Sequence, residues 1–259
     1  MNTLKVNGER LWDTIMVTAG FGATAAGGVS RLTLSDEDRQ VRDWFVEQCK
    51  ALGCQVWWDE VGSIFARLPG LDDSLPPVAM GSHLDTQPAG GKFDGIAGVL
   101  SGLEVLRTLH ESGYQTRAPL ELVDWTNEEG SRFAPAMVAS GVWAGKLDLQ
   151  WAYDRTDING KKQGAELERI GYKGSAPCKS WPLHAHYEMH IEQGPVLERI
   201  GKKIGAPKGI LCLHWYDIYL QGTANQVGPT PMQGRNDALL SASEMIQAVN
   251  KTAHIMGNM

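Results

Sequence analysis

Apolar and polar positions alternate between two periods along this chain, and the switches between them mark its elements. Over 35–52, Val41, Trp44, Phe45, Cys49 and Leu52 recur at helical spacing, and Ser35 with Asp38 three residues later resembles a capping box. Gly53 closes that helix. The pattern then predicts short strands at 55–58 and 63–68, a proline-containing loop, and an apolar strand at 78–80 leading into Gly81-Ser82-His83-Leu84-Asp85-Thr86. A helix follows with Ile96, Val99, Leu100, Leu103 and Leu106 on one face. A buried strand at 120–125 then runs directly into Thr126-Asn127-Glu128-Glu129.

Strands alternating with helices imply an α/β domain with a mostly parallel sheet, in which ligands bind beyond the carboxyl ends of the strands. Both polar clusters sit at such ends. The stretch 146–182, of mixed polarity with several Gly and Pro, reads as loops or short helices. Beyond Gly209 the pattern changes. Residues 214–220 alternate like an exposed strand, a loop carries Gly228, Pro229 and Pro231, and a helix shows Leu239, Ala242, Met245, Ile246, Val249, Ala253 and Met256 on one face. The expected division is therefore a domain over 1–210 and the start of a second over 211–259, with at most one strand and one helix.

Composition narrows the partners. With 42% apolar and 21% charged residues among 259, disordered and collagen-like chains are excluded. Lys plus Arg number 24 against 30 for Asp plus Glu, a net charge of −6 that gives no electrostatic basis for a nucleic-acid or anionic-membrane partner. No run approaches the roughly 20 apolar residues of a membrane span, and the first residues show no apolar leader before their first charges. The chain reads as cytoplasmic, with a small-molecule or protein partner. Cys49, Cys54, Cys178 and Cys212 form no CxxC pair and are too sparse for a disulfide framework, so reduced thiols are expected. The 30 glycines exceed the average of about 7%, and many adjoin charged residues, which points to a site.

The segment from His83 to Asp94 offers an imidazole, a carboxylate two residues on, and a second carboxylate after a glycine-rich turn. At a strand end, H-x-D lets the histidine bind a metal while Asp85 orients a ligand or the catalytic group. Gly90, Gly91 and Gly95 allow the backbone to bring Asp94 back to the same point. Glu128 and Glu129, adjacent at the next strand end, can divide their roles, one binding a metal and the other staying free to take a proton from activated water. His190, before a Gly-Pro turn, adds a further candidate ligand. Each element has a bland reading as a solvated surface group; their shared placement at strand ends favours the functional one. Two imidazoles with carboxylates and no cysteine suit two closely spaced divalent ions such as zinc or manganese, and such a pair suits hydrolysis of an amide-like bond. There is no G-x-S-x-G elbow and no phosphate loop.

GGVSRLTLSDED, GSHLDTQPAGGKFDGIAGV, TNEEGSRF, MHIEQGPVLE and GPTPMQGRNDAL, in that order, resemble blocks of the hydantoinase/carbamoylase amidases, within the wider superfamily of di-metal aminoacylases and carboxypeptidases. The resemblance runs through nearly the whole chain. It implies a three-layer metal-binding α/β domain followed by the start of an α+β, ferredoxin-like lid that mediates dimerisation. It further implies that His83 and His190 bind one metal, Asp94 bridges, Glu129 binds the other, Glu128 is the general base, Asp85 supports its neighbours, and Gln193 contacts substrate. The implied activity is hydrolysis of a linear C–N bond in a carbamoyl or ureido amino acid or an allantoate-like substrate, by a homodimer in full-length relatives.

Three departures stand out. Gln226 occupies the place where relatives carry a lid histidine that reaches an active site in the dimer. A glutamine can donate there but cannot carry charge, and loss of one such donor costs on the order of 100-fold in rate. Relatives are longer, with a late histidine as fifth ligand, whereas His254 lies on the helix of the second domain. The later lid residues for the substrate carboxylate are also lacking, so the chain reads as C-terminally truncated. An aminoacylase or dipeptidase of the same superfamily, or a non-catalytic remnant or dimerisation partner, are the alternatives. His110, His184, His186 and His214 read as structural or solvated.

Overall fold

Asn7 opens the first helix, α1 (Gly8–Thr18), by accepting a hydrogen bond from the Arg10 N–H at 3.0 Å. The structure, a computed structural model, describes residues 4–210 and 214–257. The helix expected at 35–52 is α2 (Asp36–Ala51), with Ser35 Oγ accepting from the Asp38 N–H at 3.2 Å. Asp38 departs from a capping box: its Oδ2 accepts from the Leu34 N–H at 2.7 Å and from Arg42 Nε at 2.8 Å. Leu52 and Gly53, the latter at φ +82°, end the helix.

The strands follow as β1 (Gln55–Trp58), β2 (Ile64–Leu68), β3 (Val78–Ser82) and, after α3 (Ile96–Ser112), β4 (Leu120–Asp124). The stretch 146–182, expected as loops or short helices, holds short helices. After α4 (Val138–Trp143) come α5 (Leu149–Tyr153) and α6 (Gln163–Ile170), then β5 (Ala185–Tyr187), α7 (Val196–Arg199) and α8 (Ala238–Met256). The sheet order is β1-β2-β4-β3-β5. β3 pairs parallel with β4 and β5, while β1 with β2 and β2 with β4 are antiparallel. The α/β reading holds, but the sheet is mixed where a mostly parallel one was expected. The turn at 59–63 is far shorter than the dozen or so residues a parallel crossover needs, so β1 and β2 form a hairpin, whereas α3 supplies the crossover from β3 to β4.

Both faces of the sheet are covered. Ile64, Ala66, Leu120 and Leu122 pack into one core with Phe45, Cys49, Val99, Leu103 and Leu106 of α2 and α3. On the other face Trp57, Phe65, Trp125, Trp143 and Trp181 meet ring against ring, with centroids 4.9–6.3 Å apart. These are the three layers the resemblance implied.

The chain divides after Arg199 into two compact units. In the second, Asp237 caps α8 by accepting from the Leu239 and Leu240 N–H groups at 2.9 and 3.1 Å. The strand expected at 214–220 is not formed. A strand needs a neighbour for its ladder, and among the described residues none pairs with this segment. The expected boundary between 210 and 211 abuts residues 211–213, which with Cys212 lie outside the described residues. Cys49, Cys54 and Cys178 are free and buried. Among the described residues no helix is long and apolar enough to cross a membrane.

Candidate metal centre

Because β3 and β4 run parallel with Ser82 opposite Asp124, the segments beginning at His83 and Trp125 leave the sheet side by side. His190 comes from the same end of the sheet, three residues past β5. This is the carboxyl end of the parallel strands, where α/β sheets place ligands.

His83 is 1% exposed. Its Nδ1 lies 2.9 Å from the Asp85 carbonyl and 3.5 Å from Asp85 Oδ1, and its Nε2 lies 3.3 Å from Glu128 Oε2. Burial opposes a charge on this ring, but the hydrogen bond and charge of Asp85 and the Glu128 carboxylate prevail, so its pKa is pushed up to about 10. The ring sits against the start of α3. A Cβ on Gly95 would come within 2.3 Å of it, and Gly95 has φ +64°, so only glycine fits.

The ligand atoms of His83, Asp94 and His190 all lie within 4.8 Å of one another. Asp94 Oδ1 is 3.4 Å from His190 Nε2, and Asp94 Oδ2 accepts from Gln193 Nε2 at 2.5 Å. His190 Nδ1 lies 2.8 Å from the Ile191 carbonyl. Both imidazoles thus turn Nδ1 toward a backbone carbonyl, an arrangement that leaves Nε2 as the atom a cation could meet. The donor set fits a divalent cation.

Glu129 lies outside this triad. Its Oε2 accepts from Gln87 Nε2 at 3.1 Å, while Oε1 is buried without a hydrogen-bond partner. Burial, opposed by Gln87 and His83 and reinforced by Asp94 and Asp85, pushes its pKa up to about 7. A buried carboxylate oxygen without a partner is costly, and a cation would satisfy it. Asp85 holds both glutamates in place: its Oδ1 accepts from the Glu128 N–H at 3.3 Å and its Oδ2 from the Glu129 N–H at 3.4 Å. Asn127, at φ +55° and donating from Nδ2 to the Phe133 carbonyl at 2.7 Å, turns the chain just before them. Burial raises the Glu128 carboxyl, His83 opposes that shift, and Asp85 and Glu188 reinforce it.

The profile of the peptidase family M20/M25/M40 matches residues 79–258. The chain belongs to the peptidase family M20/M25/M40. Among its relatives, the N-carbamoyl-L-amino-acid amidohydrolase of Rhizobium meliloti is 46% identical over 249 residues, 96% of this chain and 60% of the relative. The ureidoglycolate hydrolase of Oryza sativa is 33% identical over 261 residues, 95% of this chain and 52% of its own. A crystal structure of an amidase of the hydantoinase/carbamoylase family from Burkholderia vietnamiensis superposes with TM-score 0.87 at 48% identity, over 97% of this chain and 61% of that one. The chain thus spans between half and two thirds of the length of these relatives. The resemblance read from the motifs is to this amidase branch of the M20 family.

The M20 match begins within β3, so it takes in every site residue expected from the motifs. His83, Asp85, Asp94, Glu128, Glu129, His190 and Gln193 gather at one end of the sheet. Gln226 belongs to the second unit, where it is exposed and its carbonyl accepts from Thr230 Oγ1 at 2.6 Å. Of the histidines read as structural or solvated, His110 is exposed near the end of α3 and His186 lies within β5. Sequence reasoning missed Gln87, which lies inside the quoted motif, and Glu188, which accepts from Ser82 Oγ at 2.5 Å. It also missed Arg42, although Asp38 and Arg42 interrupt the apolar stripe of α2, a visible signal of buried charge.

Proposed function

We propose that the protein to which this chain corresponds is a metal-dependent hydrolase of linear C–N bonds in carbamoyl or ureido amino acids. The observation that carries the reading is the His83–Asp94–His190 triad with the Glu128 carboxylate facing His83 at 3.3 Å. His83, Asp94 and His190 would hold one divalent ion, with Asp94 shared and Glu129 serving a second. Zinc, or alternatively manganese, suits the donor set. Such ions supply Lewis acidity that lowers the pKa of water and polarises a carbonyl.

The chain's own residues do the rest. Glu128, partly exposed and with its pKa raised, takes the proton of the attacking water and returns it to the leaving nitrogen. Asp85 fixes the backbone of Glu128 and the ring of His83 at once, so base and ligand keep one spacing. Gln193 steadies Asp94 and lies at the site for a polar substrate group. Gln226 would offer a neutral donor from the lid of a homodimer. The unit up to Arg199 is the metal-binding part of the catalytic domain, and the second unit is the beginning of the lid. The buried free thiols support a reducing, cytoplasmic setting.

The test is turnover by the purified chain with added zinc or manganese. N-carbamoyl-L-amino acids, carbamoyl-β-alanine, allantoate and ureidoglycolate are the substrates, and ammonia release is the readout. Hydrolysis of N-acetyl amino acids or dipeptides, read by the free amino acid released, without ureido turnover moves the assignment to an aminoacylase or dipeptidase. No turnover on any of them, with less than one ion bound per chain, leaves a non-catalytic partner.

A further inference from the structure

Arg42 and Asp38 of α2, with Asp124 at the end of β4, form an ion-paired group with no exposed side-chain surface. Arg42 Nε donates to Asp38 Oδ2 at 2.8 Å, and its Nη1 lies 3.6 Å from Asp124 Oδ2. Arg31, 1% exposed, is a second buried cation nearby and feels the charges of Asp38, Asp85 and Asp124. Buried ion pairs are poor sources of stability, because desolvation offsets the attraction. Stability alone therefore gives no reason for such a group at the centre of the domain.

What these residues touch supplies one. Asp124 Oδ1 accepts the N–H of Leu84 at 2.8 Å, and Arg31 Nε donates to the carbonyl of Leu84 at 2.8 Å. The His83–Leu84 peptide is thus gripped by the aspartate and the Leu84–Asp85 peptide by the arginine. The grip extends one residue further, since the Arg31 N–H donates to Thr86 Oγ1 and the Thr86 N–H to the Arg31 carbonyl, both at 2.8 Å. Arg31 is itself anchored by Nη1 donation to the carbonyls of Thr18 at 3.2 Å and Phe21 at 2.8 Å. Arg42 donates from Nη2 to Thr126 Oγ1 at 3.1 Å, two residues before Glu128, so it braces both strand-end segments of the site.

We propose that Arg31 and Asp124, with Arg42 holding Asp124, are positioning residues that clamp the backbone of Leu84 and thereby set the places of His83 and Asp85. This rests on reading His83, Asp94 and His190 as metal ligands. A loop leaving a strand end otherwise has only its own turn to define it. Two charge-assisted hydrogen bonds on successive peptides fix it far more tightly than neutral ones would. Substitution of groups that support metal ligands from behind typically weakens metal binding by about 10–100-fold.

Two readouts on the 259-residue chain test this, with Asp124→Ala, Asp124→Asn, Arg31→Lys and, as a core variant outside the hydrogen-bonded clamp, Leu106→Ala. The first is hydrogen exchange at single amides in the metal-free protein. Asp124→Ala is expected to speed exchange of the Leu84 amide by at least about tenfold while Leu122 in β4 stays protected, and Asp124→Asn, which keeps an acceptor oxygen, restores the protection. The second is titration with Co2+, read by visible absorption. Asp124→Ala and Arg31→Lys are expected to weaken binding by about 10–100-fold and to alter the band shape. Leu106→Ala, compared at matched thermal stability, should do neither. Unchanged protection of Leu84 in Asp124→Ala overturns the clamp, as does equal weakening of Co2+ binding by Leu106→Ala. Loss of Leu84 protection in a chain that takes up no Co2+ in any form upholds the clamp and overturns the metal reading instead. Should Asp124→Ala not fold, Arg31→Lys decides by its Co2+ affinity against Leu106→Ala.

Discussion

Gln193 Nε2 donates to Asp94 Oδ2 at 2.5 Å, so the glutamine that the motif assigns to substrate is already engaged by the carboxylate proposed to bridge the metals. The two roles predict different kinetics. If Gln193 chiefly orients Asp94, Gln193→Leu weakens metal affinity by about tenfold, the lower end of the range for groups behind a ligand. If it chiefly binds substrate, KM rises with metal affinity intact. The hydrogen bond favours the first, and metal titration of Gln193→Leu checks it.

Glu128 faces His83 Nε2 yet stands apart from the His83–Asp94–His190 triad, which suits a base more than a ligand. Glu128→Gln keeps the shape and removes the proton acceptor. The expected result is a fall in kcat of about 10²–10⁴-fold or more with metal content unchanged, measured by elemental analysis beside the rate assay. Loss of metal along with activity would make Glu128 a ligand.

Gly95 and Gly91 both belong to the glycine-rich turn but differ in what a methyl group would meet. At Gly95 it would enter the His83 ring from a backbone at φ +64°, while at Gly91 nothing lies within 4 Å. Gly95→Ala should therefore cost more than about 1 kcal/mol, the strain of a left-handed alanine alone, and should also disturb metal binding. Gly91→Ala should stay within about 0.5 kcal/mol of the parent. Chemical denaturation of the pair, followed by metal titration, makes the comparison.

The motif residues were legible because strand-end segments carry their chemistry in a few consecutive positions: His83 to Asp94, Glu128 and Glu129, and His190 to Gln193 each sit next to a strand. The element pattern was equally readable where a helix or strand buries one face, as in α2 and β4. The partners that Asp124, Arg31 and Arg42 find in Leu84 and Thr126 were not legible. They lie 40 or more residues away in the chain and meet only when the sheet closes. The hairpin of β1 and β2 escaped the parallel expectation because strand direction depends on the length of a connection, not on apolar pattern. The alternation at 214–220 has the period of a strand, but period alone supplies no ladder partner, and among the described residues none is present. Gln226 was legible only through its place just before the motif GPTPMQGRNDAL.

Asp59 offers a pH test away from the metal centre. It is 1% exposed in the turn between β1 and β2, where Oδ1 accepts from the N–H groups of Val61 and Ser63, each at 3.0 Å. Burial drives its pKa up to about 6, against the pull of the Cys178 thiol and of those two N–H groups. The folded protein therefore holds a proton on Asp59 more tightly than the unfolded chain, whose aspartates titrate near about 4. Between those values the native state binds more protons, so stability falls as pH rises from about 4 to about 6, and then levels off. A shift of about two units corresponds to a decline on the order of 2–3 kcal/mol from this residue. Asp59→Asn keeps the Oδ1 acceptor and has no proton to lose. Asp124, raised to about 6 by burial against Arg42, contributes with the same sign but is common to both proteins and cancels in their difference. Denaturant unfolding of parent and Asp59→Asn at pH 4, 5, 6 and 7 should show the variant gaining on the parent across that window. A difference that stays flat over it means that Asp59 titrates normally in the fold.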